Sequence, residues 1–213
     1  MLELHVEKEV YLEGVVYEPE VAATTTMLFF GGREQDSVTL IAKFSLHYPH
    51  TRLVAFNYRG YGTSGGQPSE AALHGDALKV YDYVQKHFEQ PLLLGYSLGS
   101  NIATHVSTLR RPKKLILVAA FESVQALSKS KLRPVPRFFI KHRFETIKII
   151  DKVLVPFHMY VTKDDGFVPI EQPRKLKARA KPEMVVDYKE FEGYNHAQIL
   201  FSEEVIEKIT SVI

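Results

Sequence analysis

The sequence predicts an α/β protein, with a mostly parallel central sheet of about eight strands and helices on both faces. Two observations lead there. Short, largely apolar runs recur along the chain, at 27–30, 53–56, 91–94, 115–120 and 157–161, as expected of strands covered on both sides. Between several of them lie longer stretches whose apolar residues fall three and four apart, the spacing of a helix with one buried face. Strands that alternate with helices are joined by crossovers, which lay successive strands parallel.

Taken in order, residues 2–18 form one or two edge strands: Leu2, Leu4 and Val6 alternate with polar neighbours, and Val10 to Tyr17 continues extended. Glu18-Pro19 and Thr24-Thr25-Thr26 bracket a loop. The strand 27–30 stops at Gly31-Gly32. Residues 38–48 carry helical spacing at Leu40, Ile41 and Phe44 and end before Pro49. After strand 53–56, Ser69 is a good N-cap for a helix from Glu70 to Phe88, with Ala71, Leu78, Tyr81 and Val84 turned inward. Strand 91–94 leads into a helix from Leu98 to Leu109, whose inward face is Leu98, Ile102, Val106 and Leu109. Strand 115–120 follows. Residues 122–151 lack a strand pattern and hold Pro134, Pro136 and a dense run of basic and aromatic residues. Strand 157–161 enters Thr162-Lys163-Asp164-Asp165-Gly166. A short helix from Ile170 to about Ala180 and a last strand beginning at Met184–Tyr188 come next. The tail from Ala197 to Ile213 is a closing amphipathic helix through Val205, Ile206, Ile209 and Val212.

The 213 residues suit one domain, large enough to bury about 70% of its unfolded surface. A hydrophobic fraction of 45% with 24% charged residues is that of an ordinary globular chain. The net charge of +2 offers no general attraction to nucleic acid or to anionic membranes. With no cysteine, disulfides and thiolate metal sites are excluded. No apolar run approaches the roughly 18 residues of a membrane span. The first eight residues alternate and carry charge, unlike a signal peptide, so a cytoplasmic setting is expected.

The chemistry centres on Gly95-Tyr96-Ser97-Leu98-Gly99, a G-x-S-x-G sequence between an apolar strand and an amphipathic helix. In that context the serine occupies a sharp, strained turn with its hydroxyl above the sheet edge, and the flanking glycines avoid collisions with neighbouring elements. The helix dipole beneath it favours a developing anion. A serine needs a base and an orienting acid to attack a carbonyl. In such sites they follow in the order Ser, Asp or Glu, then His, on loops after later strands. Two loops qualify: Asp164-Asp165, and Gly193-Tyr194-Asn195-His196. His196 is the one histidine downstream of the acid loop. Both aspartates are candidates for the acid; Asp165, three residues before Val168-Pro169, is preferred, with Asp164 as a turn-former. Oxyanion donors are the Leu98 amide and one from the loop after strand 27–30, Gly32 or Arg33. Gly60-Tyr61-Gly62-Thr63-Ser64-Gly65 also matches the dinucleotide fingerprint G-x-G-x-x-G. Its third glycine should open a helix, whereas here Gly66, Gln67 and Pro68 intervene, so these glycines bend a loop near the serine site instead.

Leu28-Phe29-Phe30-Gly31-Gly32-Arg33, Asn57-Tyr58-Arg59-Gly60-Tyr61-Gly62-Thr63-Ser64-Gly65, the Ser97 pentapeptide, Asp165-Gly166-Phe167-Val168-Pro169 and Gly193-Tyr194-Asn195-His196 together resemble the α/β-hydrolase superfamily. More narrowly, the chain resembles small serine hydrolases of the Bem46/ABHD type, over nearly its whole length. The resemblance implies Ser97 as nucleophile, Asp165 as acid, His196 as base and oxyanion amides from Leu98 and Arg33. Members usually carry His-Gly where this chain has Gly31-Gly32. It also implies that residues 122–151 stand where the family inserts a lid, here a short one. Within it Lys129, Lys131, Arg133, Arg137, Lys141 and Arg143 interleave with Leu132, Val135, Phe138, Phe139 and Ile140. The first reading is an amphipathic cap helix with a solvated basic face; the second is contact with an acyl chain, an anionic substrate or a membrane surface.

The expected activity is cleavage of small acyl esters or thioesters through an acyl-enzyme, with no metal or organic cofactor and no nucleic-acid partner. A non-catalytic binding protein on the same fold is the alternative.

Overall fold

The computed structural model describes residues 1–33, 35–130 and 141–213. Eight strands form one sheet: β1 (Leu2–Glu7), β2 (Val10–Tyr17), β3 (Thr25–Phe30), β4 (Thr51–Phe56), β5 (Leu92–Tyr96), β6 (Leu115–Val118), β7 (Phe157–Thr162) and β8 (Val185–Phe191). Their order is β1-β2-β4-β3-β5-β6-β7-β8. The pairs β1–β2 and β2–β4 are antiparallel and every other pair is parallel. This is the expected architecture: apolar runs become the buried parallel strands, and the alternating N-terminal stretch becomes the antiparallel edge.

Helices α1 (Ser37–Ser45), α2 (Glu70–His87), α3 (Leu98–Leu109), α4 (Val124–Ser130), α5 (Glu171–Arg179) and α6 (Glu203–Thr210) pack around it. Successive residues of β5 face opposite ways. Leu93 joins the core shared with Leu73 and Ala77 of α2, Ile102 of α3 and Leu176 of α5. Leu92 and Leu94 join Ile41 and Phe44 of α1 and Val205 and Ile209 of α6 on the other face. Each such leucine, isoleucine, valine or phenylalanine side chain, fully removed from water, contributes roughly 1.5–3 kcal/mol.

Ser69 caps α2 as expected, accepting from the Ala72 amide at 3.2 Å. The inward face of α2 differs from the expectation, however. Leu73, Ala77, Val80, Tyr81 and Val84 form the buried stripe, which leaves Ala71 on the far side and Leu78 at its margin. The inward face of α3 holds through Val106, but Leu109 is 52% exposed at the helix's last residue. The closing helix is also shorter than expected: a 3-10 turn at Ile199–Phe201 is separated from α6 by Ser202, whose ψ of 143° is extended. Residues 122–151 hold α4 and two 3-10 turns, Thr146–Lys148 and Ile150–Lys152. Most of the basic and aromatic run, Lys131 to Ile140, lies outside the described residues.

The winding of the sheet reverses at β3. From β3 the chain crosses to β4 on one side, then returns to β5 on the other. In open α/β sheets, ligands bind beyond the carboxyl ends of the strands that flank such a reversal. Those ends carry Gly31-Gly32-Arg33 after β3 and Ser97 after β5.

Candidate active site

Ser97 lies between β5 and α3 with φ 52° and ψ −115°, a left-handed conformation that costs a non-glycine residue about 1–3 kcal/mol. The surroundings impose it. The Ser97 amide donates to Val118 O on β6 at 3.0 Å, and its carbonyl accepts from the Ser100 amide at 2.9 Å and the Ser100 hydroxyl at 2.6 Å. The flanking glycines make the turn possible. A Cβ at Gly95 would lie 2.5 Å from Gly99 O, and one at Gly99 only 1.9 Å from Phe30 O. The helix therefore packs backbone to backbone against the end of β3. Leu98 is the first residue of α3, so its amide has no acceptor within the helix.

Beyond β7, Asp165 is folded over its own loop: Oδ1 accepts from the amides of Phe167 and Val168, both at 2.8 Å. Its other oxygen lies 2.6 Å from His196 Nδ1. The His196 Nε2 is in turn 3.0 Å from Ser97 Oγ. Because a carboxylate only accepts, Nδ1 carries the shared proton and the Nε2 lone pair faces the serine hydroxyl. The Asp165 side chain is 3% exposed and that of His196 22%, so the carboxylate is enclosed and the imidazole opens onto a cleft.

That cleft, about 300 Å³, is lined by Gly32, Arg33, Gln35, Tyr96, Ser97, Phe167, His196 and Ala197. Every residue that the sequence singled out for the site, apart from Asp165, Asp164 and Leu98, lies on its wall. Asp164 does something different from Asp165. Its Oδ2 accepts the Gly193 amide at 2.6 Å and pins the loop that carries His196. The amide of Gly32 donates to Gln35 Oε1 at 2.7 Å. The glycine loop at 60–66 sits outside the helix as expected, and the hydroxyl of its neighbour Tyr58 donates to Gly31 O at 2.9 Å.

Several supporting residues carried no sequence signal. Tyr96 donates its hydroxyl to His196 O at 2.7 Å, and its ring lies 5.3 Å from the imidazole. Thr162 donates to Tyr194 O at 2.8 Å. Asn195 Oδ1 accepts the amides of Ala197 and Gln198 at 3.0 Å each, while Gln198 Oε1 accepts the Asn195 amide at 3.0 Å. This reciprocal capping fixes the residue before and the residues after His196. A polar residue just ahead of a loop histidine, with a glutamine three positions on, is the one cue that was available. Burial raises the Tyr96 hydroxyl's pKa, with the Asp165 charge adding to it, so the phenol stays a donor.

Among the described residues, no group of three His, Asp or Glu side chains could hold a metal ion, and no helix is long and apolar enough to cross a membrane.

No family model matches the chain. Among curated proteins it is similar to lysophosphatidylserine lipase ABHD12 of Macaca fascicularis, 31% identical over an alignment of 187 residues that takes in 72% of this chain and 46% of that protein. The chain thus spans about half the length of the curated relatives it matches. Among solved structures, an alpha-beta serine hydrolase homologue from Coxiella burnetii superposes with a TM-score of 0.72 at 16% identity, over 98% of this chain and 95% of that one. A lipase-esterase related protein from Clostridium acetobutylicum gives 0.75 at 17%, over 95% and 99%. These likenesses establish the fold.

Proposed function

Because the chain belongs to the α/β-hydrolase superfamily, among proteins of the ABHD type, we propose that it is a serine hydrolase acting on carboxylic esters, thioesters among them. One observation carries the reading: a continuous hydrogen-bonded chain from Ser97 Oγ through the His196 ring to Asp165, at a strained strand-to-helix turn. Ser97 Oγ attacks the carbonyl carbon while His196 Nε2 takes its proton. Asp165 holds the ring's tautomer and stabilises the imidazolium. The oxyanion is held by the amides of Leu98 and Arg33. Gly32 is the weaker candidate, since its N–H already donates to Gln35. His196 then gives the proton to the leaving oxygen or sulfur as the acyl bond breaks. A water deprotonated by His196 attacks the acyl-enzyme and releases the acid, returning the proton to Ser97. Residues 1–213 act as one domain, with 122–151 as its cap. A lysophospholipid, named in the ABHD12 relatives, is one ester of the right kind.

A fluorophosphonate probe tests this. It should label the wild type and leave Ser97→Ala unlabelled, and ester turnover should fall by several orders of magnitude in the variant, because triad members act as a unit. An unlabelled wild type would refute the enzyme and leave a binding protein on the same fold.

A further inference from the structure

Two cavities meet at the nucleophile turn. The first is the cleft of Ser97 and His196. The second, about 360 Å³, has mostly apolar walls, made by Tyr61, Pro68, Leu73, Leu98, Val124 and Phe144, with the polar Ser69, Glu70, Lys141 and His142 also bordering it. Arg33 borders both, and the two adjoin across the Ser97–Leu98 peptide, since Ser97 faces one and Leu98 the other. We infer that the second cavity holds the hydrocarbon tail of the acyl group, and that the first receives the leaving alcohol or thiol. This rests on the Ser-His-Asp reading above.

The direction is dictated by where the proton must go. In acyl transfer the imidazole that took the serine proton gives it to the leaving heteroatom, so the leaving group has to lie on the imidazole side. His196 borders only the first cavity. With the carbonyl oxygen drawn to the Leu98 amide, the remaining substituent on the carbonyl carbon points away from His196 and over the Leu98 side chain. There the apolar cavity opens.

Its wall is also held in shape. Phe144 has a φ of 42°, an outlier for a bulky residue. Glu70 fixes it in that conformation: its two carboxylate oxygens accept the Arg143 amide at 2.7 Å and the Phe144 amide at 3.0 Å. The Phe144 ring meets His74 edge-on, 5.8 Å between centroids at 87°. Strained residues persist where several contacts over-determine them, and here they shape the wall of a cavity beside the nucleophile.

Size and composition set the expected preference. A methylene group is about the size of a water molecule, roughly 30 Å³, so the cavity holds about ten to twelve carbons. Each methylene moved from water into an apolar wall raises kcat/KM about fourfold. With p-nitrophenyl esters from acetyl to palmitoyl, kcat/KM should climb about fourfold per methylene and level off at about ten to twelve carbons. Val124→Trp and Leu73→Phe, each made separately and checked for folding by melting temperature, should move the levelling point to shorter chains. Val186→Trp, on the exposed face of β8, should leave the profile as in the wild type. A wild-type profile flat from acetyl upward would overturn the inference. So would two folded, fluorophosphonate-reactive cavity variants that keep the wild-type levelling point. Failure of the underlying reading shows differently, as absence of Ser97 labelling in the wild type, and would take this inference with it.

Discussion

Acid should loosen the packing between α2 and α3 by an amount that can be worked out beforehand. His74 and His105 stack face to face there, 4.0 Å between ring centroids and 7° from parallel. His74 Nε2 lies 2.8 Å from Asn101 Oδ1, and Asn101 donates to Thr146 Oγ1 at 3.0 Å. Burial pushes His105 down to about 4, with the neighbouring His74 adding to it. Burial also lowers His74, against the opposing pull of its Asn101 hydrogen bond and the Glu70 charge. An unfolded histidine titrates near 6.5. Between about 6.5 and about 4 the unfolded chain therefore binds a proton that the folded one refuses, so stability is intact above this window and falls as pH falls through it. At pH 5 the loss through His105 alone is about 2 kcal/mol relative to pH 7.5, at 1.36 kcal/mol per pKa unit. In a chain of this length that lowers Tm by about 4–8 °C.

The assay is a pair of thermal melts, at pH 7.5 and at pH 5, on the wild type and on His105→Gln. Carboxylates titrate in both proteins, so the difference between their two acid losses isolates the histidine. His105→Gln should lose about 2 kcal/mol less than the wild type between these pH values. Parallel losses in the two proteins would refute the reasoning. A second proton on the pair is opposed still more strongly, since two unit charges at this separation repel by about 4 kcal/mol at an effective dielectric of 20.

Three further outcomes are expected. Asp165→Asn should lower kcat about 10⁴-fold with the fold intact, because the amide favours the wrong imidazole tautomer; Asp164→Asn, which loses only the carboxylate's grip on Gly193, should cost far less, and equal losses would undo the separation of their roles. Gly99→Ala would put a Cβ 1.9 Å from Phe30 O and 2.7 Å from Gly31 O. It should cost at least about 1–3 kcal/mol of overpacking and a larger share of activity, since the displaced backbone is the loop carrying Arg33; wild-type turnover and Tm would contradict the geometry. Asp76→Ala strands the buried Arg59, which Asp76 grips at 2.6 Å through both Nε and a terminal nitrogen, and should lower stability by about 3–5 kcal/mol in denaturant melts. Replacing both partners with apolar residues should cost much less, and a milder effect for the single change would place the guanidinium in the care of Glu7, 2.9 Å away.

What the sequence made legible was whatever imposes a demand on backbone or period. The strands of the sheet centre showed because both of their faces are buried, so their apolar runs are unbroken. Ser97 showed because its left-handed turn needs Gly95 and Gly99 beside it, and glycines at fixed offsets leave a visible pattern. The inward face of α2 keeps Tyr81 and Val84 but is turned about a fifth of a turn from the one its apolar spacing predicts, because its stripe includes Asp76, a buried charge that only its pairing with Arg59 makes tolerable. No apolar count can find such a position. The closing helix is shorter than its apolar spacing predicts for a related reason. Ser202 breaks it without any Gly or Pro, and the amphipathic spacing continues across the break.

The supporting shell was invisible for a different physical cause. Gln35, Tyr96, Glu70 and Asn195 each act by one or two side-chain hydrogen bonds to backbone groups far away in the sequence or across a short loop. A side chain that caps a backbone amide needs only an oxygen at the right distance, and many residue types supply one. Such positions are defined by the fold and impose no period of their own. Yet they hold the loops on which precision depends. The Gly32 loop, the His196 loop and the wall at Phe144 each lie outside regular structure, and each is tied down by one of these polar side chains. The atoms of the proposed site can therefore be read from sequence motifs, whereas the loops around them are placed by contacts that only the folded chain brings together. Substrate preference should accordingly respond to changes at Glu70, Leu73 and Val124, which belong to no part of the G-x-S-x-G pattern.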